Sequence, residues 1–238
     1  MLELSKKRVA LVIPAYNEQA VIASVISDLH KKFDKKSYFY QIVVVDDGSQ
    51  DNTAVIAERA GAYVIRHILN SGSGSATATG LSYAQQNNFD IAATLDADGQ
   101  HAANDVLRGI EALEDTNIDL LIGSRLINTG GMSRLKRFGN KGLSFITYIL
   151  FGISVTDSQS GLRIFSNQAL TRLKWKTSGY EFCSEMLWRA KQIKLKIDEF
   201  PIKAIYTDYS RAKGQNNWNA FNIVKVLLQR RIVEFFSE

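Results

Sequence analysis

Short apolar runs that alternate with amphipathic segments leave the first half of this chain few folds to adopt. Arg8 to Ile13 reads as a strand closed by Pro14, and residues 18–33 carry Val21, Ile22, Val25, Ile26, Leu29 and Phe33 at helical spacing. Gln41 to Val45 is a second apolar run, followed by a helix from about Asp51 to Ala60. The alternation continues with strands at 62–66, 91–95 and 119–122, and with helices at 80–87 and 103–113. Successive strand–helix units with short connections favour a mostly parallel sheet covered by helices on both faces. In such an α/β sheet, ligands gather at the carboxyl ends of the strands.

The polar motifs fall at those ends. Pro14 to Glu18 follows the first strand, Asp46-Asp47-Gly48-Ser49 the second, and Asp96-Ala97-Asp98-Gly99-Gln100-His101 the fourth. Two carboxylates one residue apart at a strand end offer hard oxygen ligands to a divalent cation, although Asp and Gly also build ordinary turns. The loop Asn70-Ser71-Gly72-Ser73-Gly74-Ser75-Ala76 precedes a helix, and its small residues could bring backbone amides to an anion. It lacks the Gly-Lys-Ser/Thr ending of a phosphate-binding P-loop, and it does not follow the first strand as the dinucleotide fingerprint would.

Composition narrows the classes. With 238 residues, 45% hydrophobic and 22% charged, the chain has the length of one large domain or two small ones. A single cysteine, Cys183, permits no intrachain disulfide, and no apolar stretch of a secretory leader precedes the first strand, so a cytoplasmic chain is expected. The net charge of +5 is concentrated late, from Arg134 onward, without a nucleic-acid recognition motif, so no nucleic-acid partner is expected. Residues 143–151 are apolar but far short of the ~20 needed to span a bilayer. They suit a core helix or an interfacial one. Trp218 to Phe236 has amphipathic spacing, with Lys225, Arg230 and Arg231 interspersed, and reads as a helix packed on the domain or against a membrane or partner.

The ordered set Pro14-Ala15-Tyr16-Asn17-Glu18, Asp46-Asp47-Gly48-Ser49, Asn70 to Ala76, Asp96-Ala97-Asp98 and Gly123-Ser124-Arg125 resembles the family 2 glycosyltransferases of the GT-A fold. Asp157 to Arg163, Gly179 to Met186 and Phe200-Pro201-Ile202 resemble the dolichyl-phosphate mannose synthase and polyprenyl-phosphate glycosyltransferase branch. The resemblance runs from about Arg8 to Gln215 and implies a GT-A domain over 1–215, with 216–238 as a C-terminal amphipathic helix. It implies transfer of a sugar from a nucleotide diphosphate to a lipid phosphate. Pro14, Tyr16, Glu18, Val45, Asp47, Gly74, Asp96, Ala97 and Asp98 would hold the nucleotide sugar, while Asp96, Asp98 and Gln100 would ligate Mg²⁺ or Mn²⁺ on its diphosphate. Such a cation neutralises charge on the leaving group.

A phosphate monoester has its second pKa near about 6, so a lipid phosphate attacks at neutral pH without a base. It needs cations to place it. Arg125, Arg137 and Lys213 are the candidates, with Asn140 as a neutral donor and Arg163 either in that role or supporting its loop. The branch often carries an Arg after its Pro-Ile; the matching place here is about Thr207, with Arg211 nearby. A saccharide or protein hydroxyl acceptor would instead need a carboxylate base, for which Asp157 is nearest. A catalytically silent binding module is a third reading, against which the intact Asp96, Asp98 and Gln100 speak. With no run long enough to span, the lipid would be reached from the inner membrane face, through 143–151, the C-terminal helix or a protein partner. His101 receives no catalytic role.

Overall fold

The computed structural model describes residues 6–127 and 134–205, together with Tyr209, Lys225, Val226 and Leu228. Its elements run β1 (Arg8–Ala15), α1 (Ile22–Phe33), β2 (Phe39–Asp46), α2 (Thr53–Arg59), β3 (Tyr63–Arg66), α3 (Ser73–Gln86) and β4 (Ile91–Thr94). Then come α4 (Ala103–Glu114), β5 (Leu120–Ser124), α5 (Arg134–Phe151), β6 (Arg163–Ser166), α6 (Asn167–Arg172), α7 (Phe182–Gln192) and β7 (Ile197–Pro201). Among the described residues the strands form one seven-stranded sheet in the order β3-β2-β1-β4-β6-β5-β7.

Register decides which loops meet. β1 and β2 pair in parallel along their full length, with Ala15 opposite Asp46, and Val12 of β1 stands opposite Thr94 of β4. The turns after β1, β2 and β4 therefore open on one edge. β6 alone runs antiparallel, with Thr94 opposite Arg163 on one side and Ile122 opposite Arg163 on the other. A reversed strand brings its leading loop, not its trailing one, to that edge. Residues 157–162 are thus placed beside the end of β4, and Thr94 donates its hydroxyl hydrogen bond to the Gly161 carbonyl, 2.8 Å away.

Both faces of the sheet are covered, as the α/β reading predicts. Val9, Leu11 and Ile13 of β1 point into a core with α1 and α4, while Ala10 and Val12 point the other way into a core with α3, α5, α6 and α7. This is the period-two alternation of a strand buried on both faces.

Two helices are longer than their apolar patterns suggest. α3 begins at Ser73 rather than near residue 80, because its small residues pack close: a Cβ on Gly80 would lie 2.3 Å from a Val12 methyl. Ser, Gly and Thr at such positions resemble a loop in the sequence, yet here they let a helix lie low on the sheet. α5 extends the apolar run 143–151 backwards to Arg134, and the run is both core and surface. Leu143, Ser144, Thr147 and Phe151 are buried, whereas Phe138, Phe145, Tyr148 and Ile149 are exposed. Of the expected C-terminal helix, Lys225, Val226 and Leu228 are helical; the remainder of 216–238, with Thr207, Arg211 and Lys213, lies outside the described residues.

Candidate active site

The turn after β1 is held by the turn after β2. Asn17, in the left-handed region at φ 53°, donates its N–H to Ser49 Oγ, and the Glu18 N–H donates to Thr53 Oγ1 at 2.7 Å. Glu18 is thereby fixed at the strand edge, 8% exposed, with its carboxylate accepting the Tyr209 hydroxyl at 2.8 Å. Tyr16 beside it is 37% exposed. Val45 is fully buried in the core and presents no surface to a ligand, whatever the resemblance implies.

Asp47 and Gly74 play parts other than those expected. The Asp47 carboxylate accepts the N–H groups of Ser71 and Gly72 at 2.9 and 2.7 Å and lies 2.7 Å from His67 Nδ1. At 3% exposure it anchors the loop before α3. The amides of Gly74 and Ser75, read as an anion cradle, donate instead to the Ser178 carbonyl. A Cβ on Gly74 would meet the Thr177 carbonyl oxygen at 2.7 Å, so this glycine serves close backbone packing. The cradle is filled by the protein itself, because the segment before α7 supplies an acceptor that the local sequence does not reveal.

The carboxylate pair stands at the end of β4. Asp96 Oδ2 lies 3.0 Å from His101 Nε2, and Asp98 Oδ1 accepts the Gln100 N–H at 3.0 Å while the Gln100 amide nitrogen bonds its other oxygen. Burial raises the Asp96 pKa, but the His101 hydrogen bond and charge, followed by the Arg125 and Arg163 charges, prevail and hold it below the ordinary carboxylate value. Asp98 is shifted the opposite way, upward, by burial and then by the charge of Asp96. Two like charges in one place, one of them poorly tolerated, suit a hard cation. Among the described residues no trio of His, Cys, Asp and Glu surrounds one point. Two carboxylates and a glutamine could make the incomplete protein shell that Mg²⁺ and Mn²⁺ take when substrate oxygens complete it.

Arg125 reaches this edge from β5. Its Nε and Nη2 donate to the two oxygens of Asp157 at 2.7 and 2.9 Å, and its backbone N–H donates to the same carboxylate. Asp157 is fully buried, so it is the grip on Arg125 and no open base. Glu199 of β7 holds the same turn, accepting the N–H groups of Thr156 and Asp157. Arg163 supports its loop, the second of its two expected roles: 1% exposed, it donates to the carbonyls of Ser158 and Ser160. It has no surface for an acceptor phosphate.

Arg137 and Asn140 lie near the start of α5. Thr147 meets Ser184 at 2.9 Å, Phe151 stacks on Trp188, and Lys191 donates to the Gly152 carbonyl, so α5 and α7 run side by side in the same direction. Arg137 and Asn140 are thus carried toward the end of α7 at which Tyr180 stands. Tyr180 is raised above the ordinary phenol value by burial and then by the charges of Asp96, Cys183, Asp98 and Glu18. Tyr180 is 48% exposed.

The residues 10–173 match the model of glycosyl transferase family 2. A UDP-N-acetylglucosamine–dolichyl-phosphate N-acetylglucosaminyltransferase of Methanococcus voltae is 41% identical over 96% of this chain and 98% of its own. The chain belongs to glycosyltransferase family 2. A polyprenol monophosphomannose synthase of Mycolicibacterium smegmatis is 25% identical over 94% of the chain and 85% of that protein. The same GT-A architecture is found in glucosyl-3-phosphoglycerate synthase of Mycobacterium tuberculosis, crystallised with Mn²⁺, UDP-glucose and phosphoglyceric acid. That structure has a TM-score of 0.73 and 21% identity, covering 94% of this chain and 80% of the other.

For this family 2 glycosyltransferase, then, the strand-end motifs do converge on one edge. Two contributors escaped the motif reading. Tyr180 lies inside a stretch that carries the family resemblance, and Tyr209 lies in a segment with no periodic pattern; an aromatic beside an acidic cleft has no local signature that separates it from a core residue.

Proposed function

We propose that this glycosyltransferase moves N-acetylglucosamine from UDP-N-acetylglucosamine to a polyprenyl phosphate, of dolichyl or undecaprenyl type, with inversion at the anomeric carbon. The observation that carries the proposal is the 41% identity, over nearly all of both chains, to the Methanococcus voltae enzyme whose name states that donor and that acceptor.

The site chemistry supports it. A phosphate oxygen of the acceptor attacks the anomeric carbon, the bond from that carbon to the UDP oxygen breaks, and UDP departs with the electron pair. No proton need move, because the phosphate is already an anion. This fits a site in which the nearest candidate base, Asp157, has both oxygens engaged by Arg125. Tyr16 and Glu18 would receive the nucleoside, and Arg125, with Arg137, Asn140 and Lys213, the acceptor phosphate. Mg²⁺ or Mn²⁺ held by Asp96, Asp98 and Gln100 would neutralise charge gathering on the departing diphosphate.

The acceptor brings a membrane with it. Among the described residues no helix is long and apolar enough to cross one. Phe138, Phe145, Tyr148 and Ile149 recur at helical spacing on the outer side of α5, and Lys141 is exposed among them. Such a stripe suits peripheral seating on the cytoplasmic face of an anionic bilayer, with the start of the helix toward the cleft.

Incubation with UDP-N-acetylglucosamine, Mn²⁺ and polyprenyl phosphate is expected to yield a glycolipid with inverted anomeric configuration, read by mass spectrometry and NMR. Product from another nucleotide sugar alone would overturn the sugar assignment. Absence of glycolipid from every donor tried would overturn the acceptor.

A further inference from the structure

His101 is a buried polar group beside the carboxylate pair, and the reaction as derived above does not use it. Its side chain is 1% exposed, directly before α4, in a wall that includes Val25, Leu95, Ala102 and Ala103. Burying an imidazole among apolar groups is unfavourable unless its nitrogens find partners. Nε2 has one, Asp96 Oδ2 at 3.0 Å; Nδ1 is buried with none. The ring is therefore committed through one atom to one carboxylate.

We propose that His101 is a positioning residue for Asp96, fixing the direction of its carboxylate at the proposed cation site. The geometry of the opposite wall supports this. A Cβ on Gly161 would come within 2.2 Å of Asp96 Oδ1 and 2.4 Å of Oδ2, so the half-exposed carboxylate lies against the backbone of the loop before β6 as well as against the imidazole. Donation to Asp96 places a proton on Nε2. The single Nε2–H donor thus selects one rotamer of Asp96. Asp98 has a different restraint, the Gln100 amides, so the two carboxylates are held by separate groups. Without the imidazole, Asp96 would keep its place in the chain but lose its fixed direction. Groups that orient a metal ligand in this way typically contribute about 10–100-fold in metal affinity.

The inference rests on the cation site of the proposed function, so its test reads the cation directly. Three variants are compared with the unmodified protein: His101→Gln, whose amide N–H reaches about as far as Nε2; His101→Asn, whose amide reaches only as far as Nδ1; and His101→Leu, which fills the space without a donor. Mn²⁺ dissociation constants are measured by electron paramagnetic resonance in the presence of UDP, beside UDP binding in chelator and thermal unfolding. Mn²⁺ affinity is expected to fall about 10–100-fold for the Asn and Leu variants and to be largely kept by the Gln variant, with UDP binding in chelator unchanged. Unchanged Mn²⁺ affinity in a folded leucine variant would overturn the positioning role while leaving the cation site standing. Equal losses in all three variants, tracking their melting temperatures, would show that the ring only fills space. Failure of the unmodified protein to bind Mn²⁺ would overturn the cation site and the inference with it.

Discussion

Asp157 and Arg125 hold each other through two side-chain hydrogen bonds, with the carboxylate wholly out of water. Removing one partner of a buried pair costs about 3–5 kcal/mol, so Asp157→Asn is expected to lose stability on that scale in urea unfolding. Acceptor turnover should fall with it, because Arg125 loses its fixed direction. A stable Asp157→Asn protein that binds acceptor normally and fails only in the chemical step would favour a hydroxyl acceptor instead. Asp98 behaves in the opposite sense. Burial and the neighbouring Asp96 charge raise its pKa, so its ionised form is unfavourable in the metal-free protein. Asp98→Ala should therefore leave the metal-free melting temperature unchanged or higher, while turnover drops by about 10²-fold or more, the scale of losing one charge-stabilising group. Near-normal turnover in that variant would remove the cation assignment. Asp47 shows a third outcome: its type and position fit a nucleoside contact, yet its partners are the amides of Ser71 and Gly72.

At the scale of elements, α3 and α5 each serve a surface that their sequences describe incompletely. α3 meets the segment before α7 through Gly72 and Gly74, and Gly72 has φ 94°, a conformation that side chains resist. Gly74→Ala would press a methyl on the Thr177 carbonyl and on Phe182, for which about 1–3 kcal/mol of destabilisation is expected in denaturant melts. α5 packs one side on α7 and leaves Phe145 and Ile149 exposed by 61% and 63%. Each apolar side chain moved out of water contributes about 1.5–3 kcal/mol, so Phe145→Glu and Ile149→Glu should each weaken vesicle binding about tenfold or more. Flotation with anionic liposomes measures this. Stability should change by no more than about 0.5 kcal/mol, as at other exposed positions. Unaltered flotation in the double variant would assign the stripe to something other than lipid.

Across the described residues, one sheet carries two cores, and Glu18, Asp96, Asp98 and Arg125 stand at one of its edges. A ligand that binds only the folded chain stabilises it by about 2.7 kcal/mol at a hundred times its dissociation constant. UDP with Mn²⁺ is accordingly expected to raise the melting temperature, GDP to raise it less, and chelator to abolish most of the difference. A larger shift with GDP would overturn the uridine assignment.

What the sequence determined by itself was local. Short apolar runs and period-3.6 spacing located the first five strands and, apart from the start of α3, the helices between them, because the placement of apolar residues reports what is buried. The acidic and turn residues at the ends of those strands located the site, since parallel connections force those ends to one edge. Tertiary structure decided the rest. The reversed β6 delivers Asp157 and Gly161 to that edge, Ser178 fills the amides before α3, and His101 finds Asp96. The first places a whole loop, and the others decide what each buried polar group has for a partner. Partners distant in the chain are selected by packing, which no local pattern of residue types encodes.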